Sequence, residues 1–547
     1  MYLKYFACRK RFCEFIQRSV FTLKLIDMKS GSFPGYTTPQ YDVEAMRART
    51  LENPTWIHFG AGNIFRAFHA AGLDRVLNKG AYDKGVIVAE SFDGEIIEKA
   101  YKPYDNLSLL VVLKSDGTIE KNVVASVADS WQADCASADW AKLVAAFEKP
   151  SLQMVTYTVT EKGYSVAGRD GQADMQSMDA PISVIGKTAL LLYKRFTACA
   201  APIAIVSTDN CSHNGDKIKA GVLAMAEAWV EKGFVCKCFL EYLNDPKKVS
   251  FPWTMIDKIT PRPDARVSEM LKESGFEDVE TITTEKHSFT APFVNAEETE
   301  YLIMEDAFPN GRPPLEEAGF IFTDRETVDK VERMKVCTCL NPLHTAMSVY
   351  GCMLGHTSIC GETQDEDIMK FIKTIGYVEG MPVVVDPGII KPIEFIDTVV
   401  NVRLPNPFMP DTPQRIATDT SQKLSIRFGE TIKAYIARDD LDVHSLKCIP
   451  LVLAGWIRYA MGVDDNGNVF ERSPDPMLAE VDPIISFLKL GETDFDAEGL
   501  RPLYENETLF GINLYKAGIA DTVTAYLRRL VAGPGAVRKT LHETVNA

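Results

Sequence analysis

Trp56-Ile-His-Phe-Gly-Ala-Gly-Asn-Ile-Phe-Arg66 is the stretch on which the fold turns. Trp56–Phe59 is bulky and apolar enough for a short buried strand. It runs straight into Gly60-x-Gly62, and a helical pattern follows through about Leu77. A glycine turn between strand and helix is where a dinucleotide's pyrophosphate meets backbone N–H groups and the positive end of a helix dipole. Gly60 permits the tight turn and Gly62 lets phosphates come close, with Ala61, Asn63, Ile64 and Phe65 completing the loop and first turn. The third glycine of the usual fingerprint is absent, and Phe65 stands in its place. Gly-x-Gly by itself suits a structural turn as well; the strand before it and the helix after it favour dinucleotide binding. Arg66 can reach a phosphate or lie on the surface.

The next strand, Gly85-Val-Ile-Val-Ala89, ends at Glu90, with Asp93 just beyond. An acid there hydrogen-bonds ribose hydroxyls and repels a 2′-phosphate, which favours NAD over NADP. Glu90 lies 28 residues past Gly62, later than the usual spacing of about 20, and a solvated strand-end carboxylate is the other reading of both acids. Further strands are expected at 107–113, 123–126, 154–160 and 203–207, with helices at 139–147 and 216–231. That alternation predicts a parallel, doubly wound sheet.

From about Asp324 amphipathic helical patterns dominate: 327–335, 343–354, 365–377, 389–402, 430–437 and 517–531, interrupted by a Pro-rich passage over 403–413. The expected organisation is a tail and arm over 1–50, a Rossmann-like dinucleotide domain over 51–320 and a mainly helical substrate domain over 321–547. Pro309, Gly311, Pro313 and Pro314 mark the join, near 305–325. The fold class is therefore α/β, a doubly wound domain followed by a mostly α-helical one.

The 547 residues carry a net charge of −16, a balance that repels nucleic acid and anionic membranes without forbidding a small anionic substrate in a locally basic pocket. No apolar run approaches the roughly 20 residues of a membrane span, and Ile449–Ile457 reads as core. Of 12 cysteines, Cys236/Cys238 and Cys337/Cys339 form Cys-x-Cys pairs. On strands these would put both thiols on one face, as buried, reduced cysteines of a cytoplasmic protein. Zinc is disfavoured, because the eight His residues are scattered. Residues 1–27 are basic but lack a signal-peptide core, and the expectation is that translation starts at Met28, the preceding segment being an artefact or a loose tail.

The second concentration of chemistry is Glu332-Arg-Met-Lys-Val-Cys-Thr-Cys-Leu-Asn-Pro-Leu-His344. Pro342 fits the first position of a helix, with Asn341 as its N-cap, so that one helix ends after Lys335 and another begins at Asn341. Asn341 and His344 then share the first turn. Lys335 sits between Met334 and Val336, and burying a lysine lowers its proton affinity, as a general base requires. Glu332, one turn earlier, could relay a proton or form a plain ion pair. Read as residues only, the segment equally suits a cap, a surface lysine and a core histidine.

The chain resembles the polyol-specific long-chain dehydrogenases, the mannitol dehydrogenase family. The resemblance rests on the glycine loop, Thr158-Val-Thr-Glu-Lys-Gly-Tyr164, Ser207-Thr-Asp-Asn210 with His213-Asn-Gly215, and Phe251–Pro261. It continues through Met304–Pro313, the Lys335–His344 segment, Ala417–Lys423 and Gly455–Val463. It implies metal-independent, NAD(P)-dependent oxidation of a secondary alcohol. It places the catalytic lysine at Lys335, the polarising pair at Asn341 and His344, and the proton-gating glutamate at Glu332. Thr160 and Asn210 fall on the cofactor side; Asn210 and Asp257 match positions near the reacting carbons, and Arg403 a substrate-binding arginine. One departure is that six residue steps separate Lys335 from Asn341, where the family has five. Within the family, 421–423, 455–468 and 475–480 look most like the branch interconverting D-mannonate and D-fructuronate, whose carboxylate could be met by Arg403, Arg415 or Lys423. The alternatives are mannitol/fructose or altronate/tagaturonate chemistry, an inactive dinucleotide sensor, or a thiol- or metal-dependent enzyme using Cys337 and Cys339. The expected partner is a small sugar acid or polyol, and the expected state a monomer or small homo-oligomer.

Overall fold

The computed structural model describes residues 22–26 and 35–547. They form two compact units, one reaching to Val328 and the other from Asp329 to the end, with Ser115–Gly117 assigned to the second.

The first unit is built on six parallel strands: β1 (Trp56–Phe59), β2 (Val86–Glu90), β3 (Val127–Gln132), β4 (Met154–Tyr157), β5 (Ile203–Ser207) and β6 (Val249–Ser250). Their order across the sheet is β3-β2-β1-β4-β5-β6. This is the order of a dinucleotide-binding fold, whose crevice opens between the first and fourth strands. β1 and β4 are neighbours in register, with His58 opposite Thr156. β1, β2, β4 and β5 are buried at every position, as a sheet covered by helices on both faces demands. Ile57 and Phe59 point into a core with α3 (Asp139–Glu148), α4 (Val184–Ala198), α5 (Asn214–Glu231) and α6 (Lys237–Asn244). His58, on the other face, stacks on Phe65 with ring centroids 4.3 Å apart. Phe65 opens a π-helical turn, Phe65–Ala70, that runs into α2 (Ala71–Asn78).

Several expectations shift. The arm before residue 50 contains a helix, α1 (Val43–Glu52), whose N-cap Asp42 accepts from Ala45 N–H. Its buried Val43, Met46 and Thr50 lie among charged residues, which hides the period. The strand expected at 123–126 is in fact the junction of two, Ile119–Val124 and β3. The strand from Met154 stops at Tyr157, and Thr160 takes a positive φ of 67°. Met28 lies outside the described residues. Ahead of it, the described Thr22–Ile26 are docked rather than loose: Leu23 is buried and its N–H donates to Asp278 Oδ2 at 2.6 Å. The Cys-x-Cys pairs are not on strands. Cys236 and Cys238 are exposed at the start of α6 and joined as a disulfide; Cys337 and Cys339 lie on a helical turn. Two residues on, a helix puts side chains on different faces, so the strand argument fails for both.

The division between the units falls inside α7 (Arg325–Met334). The second unit is helical: α8 (Asn341–Leu354), α9 (Glu366–Lys373), α10 (Pro392–Thr398), α11 (Pro413–Ala417), α12 (Glu430–Ile436), α13 (Cys448–Ala460) and α14 (Ala520–Leu530). α13 is buried at every position and packs against α8 and α14, so the apolar run at 449–457 is core. α8 is buried from Thr345 to Met353. Among the described residues no helix is long and apolar enough to cross a membrane.

Candidate active site

The carboxyl ends of β1, β2, β4 and β5 carry the residues read as cofactor ligands. Gly60 has φ 110°, and a Cβ there would sit 2.3 Å from the Thr158 carbonyl oxygen; only glycine fits. A Cβ on Gly62 would meet nothing within 4 Å, so the loop leaves open space at the start of a helix, where a pyrophosphate fits. Glu90 is a buried brace rather than a solvated carboxylate: it accepts from the N–H groups of Ala61 (2.7 Å), Phe92 (2.7 Å) and Asp93 (3.1 Å). Asp93, also buried, accepts from Thr284 Oγ1 at 2.6 Å. Arg66 is neither on the surface nor turned to a phosphate. It is fully buried and donates to Ala291 O (2.7 Å), Thr290 Oγ1 (2.8 Å) and Asn63 Oδ1 (2.9 Å), pinning the loop from behind. Asp209 ties the β4 and β5 ends together by accepting from Val159 N–H and Thr160 N–H, both at 3.0 Å. Thr160 is exposed there, and so is Asn210. A β-branched residue held at positive φ stores strain of the kind that marks functional loops. Asp257 ends strand β7 (Thr254–Asp257), paired antiparallel with the strand Tyr301–Glu305, and is buried.

In the second unit α7 does not end after Lys335; it passes into a π-helical turn, Lys335–Cys339, before α8 begins. A π-turn takes up one residue more than an α-turn, and this one accommodates the six steps from Lys335 to Asn341. Lys335 is buried, and Glu332 is half-buried on α7. Asn341 is not the cap: Leu340 is, and Asn341 and Pro342 open the helix. The Asn341 side chain therefore does not hold the helix end.

His344 lies one turn further. Its Nε2 is buried with no hydrogen-bond partner among the described residues, 3.9 Å from Asp411 Oδ2. Burial first, then the Arg427, Arg415 and Arg403 cations against the opposing pull of Asp411, brings its pKa down to about 4. The ring is neutral at pH 7, and its unmet Nε2 suits a ligand oxygen. Arg403 is buried at the end of the π-turn Val399–Arg403. Arg415 pairs with Asp411, and Lys423 donates to Ile416 O and Thr418 O. Burial, with Arg427 adding to it, lowers Lys423 to about 8. Arg427, on the π-turn Ser425–Gly429, donates to Thr345 Oγ1 and to Asn341 O; burial lowers it to about 10.

Sequence reasoning missed Arg427, Thr345 and Asp411. Only the Lys423-x-x-x-Arg427 spacing, one helical turn, pointed to the first. The thiols read as an alternative nucleophile are unsuited to it: burial raises Cys337 to about 11 and Cys339 to about 12, and the thiolate is the reactive form. Among the described residues no three His, Cys, Asp or Glu side chains gather as metal ligands.

Residues 54–317 match the Rossmann domain of mannitol dehydrogenase and residues 327–529 its C-terminal domain. D-Mannonate oxidoreductase of Thermotoga maritima is 48% identical over 520 residues, covering 93% of this chain and 96% of that protein. Polyol:NADP oxidoreductase of Gluconobacter oxydans is 27% identical, over 83% of this chain and 90% of its own. Among solved structures, mannitol 2-dehydrogenase of Pseudomonas fluorescens, in a ternary complex with NAD and D-mannitol, superposes with a TM-score of 0.69 at 24% identity, over 96% of this chain and all of that one. A substrate-free D-sorbitol dehydrogenase gives 0.73 at 24% identity, over 92% and 99%. The glycine turn at the head of the sheet and the Lys–Asn–His segment of the helical unit thus fall in two consecutively matched domains, and the chain belongs to the mannitol dehydrogenase family.

Proposed function

We propose that the protein interconverts D-mannonate and D-fructuronate with NAD and without a metal ion. The observation that carries the substrate is the relative at 48% identity, named for D-mannonate. The cations around His344 support it, because a sugar acid brings a carboxylate that Arg403, Arg415, Arg427 or Lys423 can meet, and a neutral polyol does not.

Bound NAD would supply the acceptor for a hydride from the substrate's carbinol carbon, and NADH the donor. The open space over Gly62 would hold the pyrophosphate, with Gly60–Arg66 shaping the loop. Glu90 and Asp93, buried carboxylates at the end of β2, make the region unfavourable for a 2′-phosphate and so favour NAD over NADP. Lys335 takes the hydroxyl proton in oxidation and gives it back in reduction, and Glu332 passes it to solvent. Asn341 and neutral His344 donate to the oxygen on which charge develops. Thr160 and Asn210 serve the cofactor, and Asn210, Asp257, Arg403 and Lys423 the substrate.

The test is NADH oxidation, followed by absorbance, with D-fructuronate, D-tagaturonate and D-fructose offered separately and NADPH as the comparison. Turnover on D-fructuronate with NADH is expected. Turnover on D-fructose instead would move the substrate to mannitol. Silence on all three, with NADH bound, would leave a dinucleotide sensor.

A further inference from the structure

Beside the glycine loop runs a chain of four polar side chains that the reading above does not use. Trp56 and His58 alternate on one face of β1, and Thr156 and Thr158 on the same face at the end of β4. Trp56 Nε1 donates to Thr156 Oγ1 at 2.7 Å; Thr156 Oγ1 lies 2.6 Å from His58 Nδ1; His58 Nε2 lies 2.9 Å from Thr158 Oγ1. Trp56, His58 and Thr156 are buried, and Thr158 is half-buried.

The direction of each bond follows from what each group can do. Indole N–H only donates. Thr156 Oγ1 accepts that hydrogen and has one of its own to place. Being buried, it must place it, and among the described residues its only acceptor is His58 Nδ1. Burial first, and His69 with its ring centroid 4.9 Å away, outweigh the opposing pull of the Gly60 backbone and hold the His58 ring in its neutral form, so it carries one hydrogen. With Nδ1 accepting, that hydrogen is on Nε2 and is donated to Thr158 Oγ1. Thr158 then has its own hydrogen left over. It sits against the loop: a Cβ on Gly60 would lie 2.8 Å from Thr158 Oγ1, and the Thr158 N–H is held by Phe59 O at 2.9 Å.

We infer that Thr158 Oγ is a preset hydrogen-bond donor for an acceptor oxygen of the bound dinucleotide, aimed by the chain Trp56→Thr156→His58→Thr158. This rests on the dinucleotide reading of the site. The hydroxyl is oriented before the ligand arrives, and each donor in the chain polarises the next. Thr158 is the binding residue; His58, Thr156 and Trp56 are positioning residues.

Two measurements test it. NADH and ADP-ribose, which lacks the nicotinamide, are titrated into wild type, Thr158→Val and Thr158→Ser, by fluorescence and calorimetry. Wild type binds NADH if the dinucleotide reading holds. Thr158→Val is then expected to bind NADH about tenfold more weakly, the scale of a lost hydrogen bond to a charged or strongly polar acceptor, and Thr158→Ser within about twofold of wild type. An equal loss with ADP-ribose assigns the acceptor to the adenosine-diphosphate-ribose part, and a loss with NADH alone to the nicotinamide; both support the inference. Undiminished binding of both ligands by Thr158→Val overturns it while leaving the dinucleotide reading intact. A wild type that binds neither overturns both. Independently of any variant, ¹⁵N spectra of histidine-labelled protein should show His58 with Nε2 protonated and Nδ1 bare. The reverse tautomer would sink the chain's direction.

Discussion

Lys335 is where a single atom matters most. In the proposed reaction its Nζ moves the only proton taken from substrate, while the glycine loop lies on other elements. Lys335→Ala is therefore expected to keep NADH affinity and to lose turnover by at least about a hundredfold, the scale of a missing general base; steady-state rates beside NADH titrations check it. Glu362 makes the opposite kind of demand. It is fully buried, both oxygens lack partners among the described residues, and it presses on Gly351 of α8, where a Cβ would come 1.5 Å from Oε1. Burial, with Asp365 nearby, raises its pKa to about 9. The folded chain thus keeps a proton that the unfolded chain releases above its ordinary value of about 4.5, so stability is greatest below that pH and falls as pH climbs toward 9. Glu362→Gln needs no proton. It should stabilise by about 3 kcal/mol at pH 7 and by almost nothing at pH 4, as urea unfolding at the two pH values will show.

At the level of elements, three cations of the candidate site sit on irregular helix. Lys335, Arg403 and Arg427 each lie in a π-turn, and Arg66 in another behind the glycine loop. Such turns are uncommon in helices and frequent at functional sites. Excising Val336 would leave five steps between Lys335 and Asn341 and let α7 run on as α-helix. Because the π-turn holds the extra residue without changing the lysine's direction, turnover should stay within about tenfold, with NADH binding unchanged. A drop of about a hundredfold, as for misplaced catalytic groups, would show that the turn itself aims the lysine. These turns also mark where reading from sequence ran out. The strand–Gly-x-Gly–helix unit was legible because period and turn chemistry agree within 11 residues, Trp56 to Arg66. The expected helices at 365–377 and 389–402 likewise match α9 and α10 extended by π-turns. A π-turn has no composition of its own, so the spacing from Lys335 to Asn341 looked like a defect. The burial of Arg66 and Glu90 was not legible for a related reason: their partners, Ala291 and Thr290 for the one and backbone N–H groups for the other, lie far away or carry no side-chain signal.

For the molecule as a whole, a net charge of −16 faces the anionic substrate proposed for it. At physiological salt, fields fade within about 8 Å, so the cations about His344 dominate what the substrate meets. At 0.01 M salt the range grows to about 30 Å and the whole charge is felt. The KM for D-fructuronate is then expected to rise about twofold between 0.1 M and 0.01 M salt, while that for a neutral ketose stays flat. A fall at low salt would show that the local cations set the long-range field. A helix that admits one residue too many slips in phase, and the π-turn at Lys335–Cys339 confines that slip to five residues. Direction survives it; counting does not. Laid residue for residue from Asn341 against a chain whose helix runs straight through, the five-step position falls on Val336. A comparison made by position would give the proposed proton carrier's place to an aliphatic side chain, and one made by phase returns it to the lysine next door.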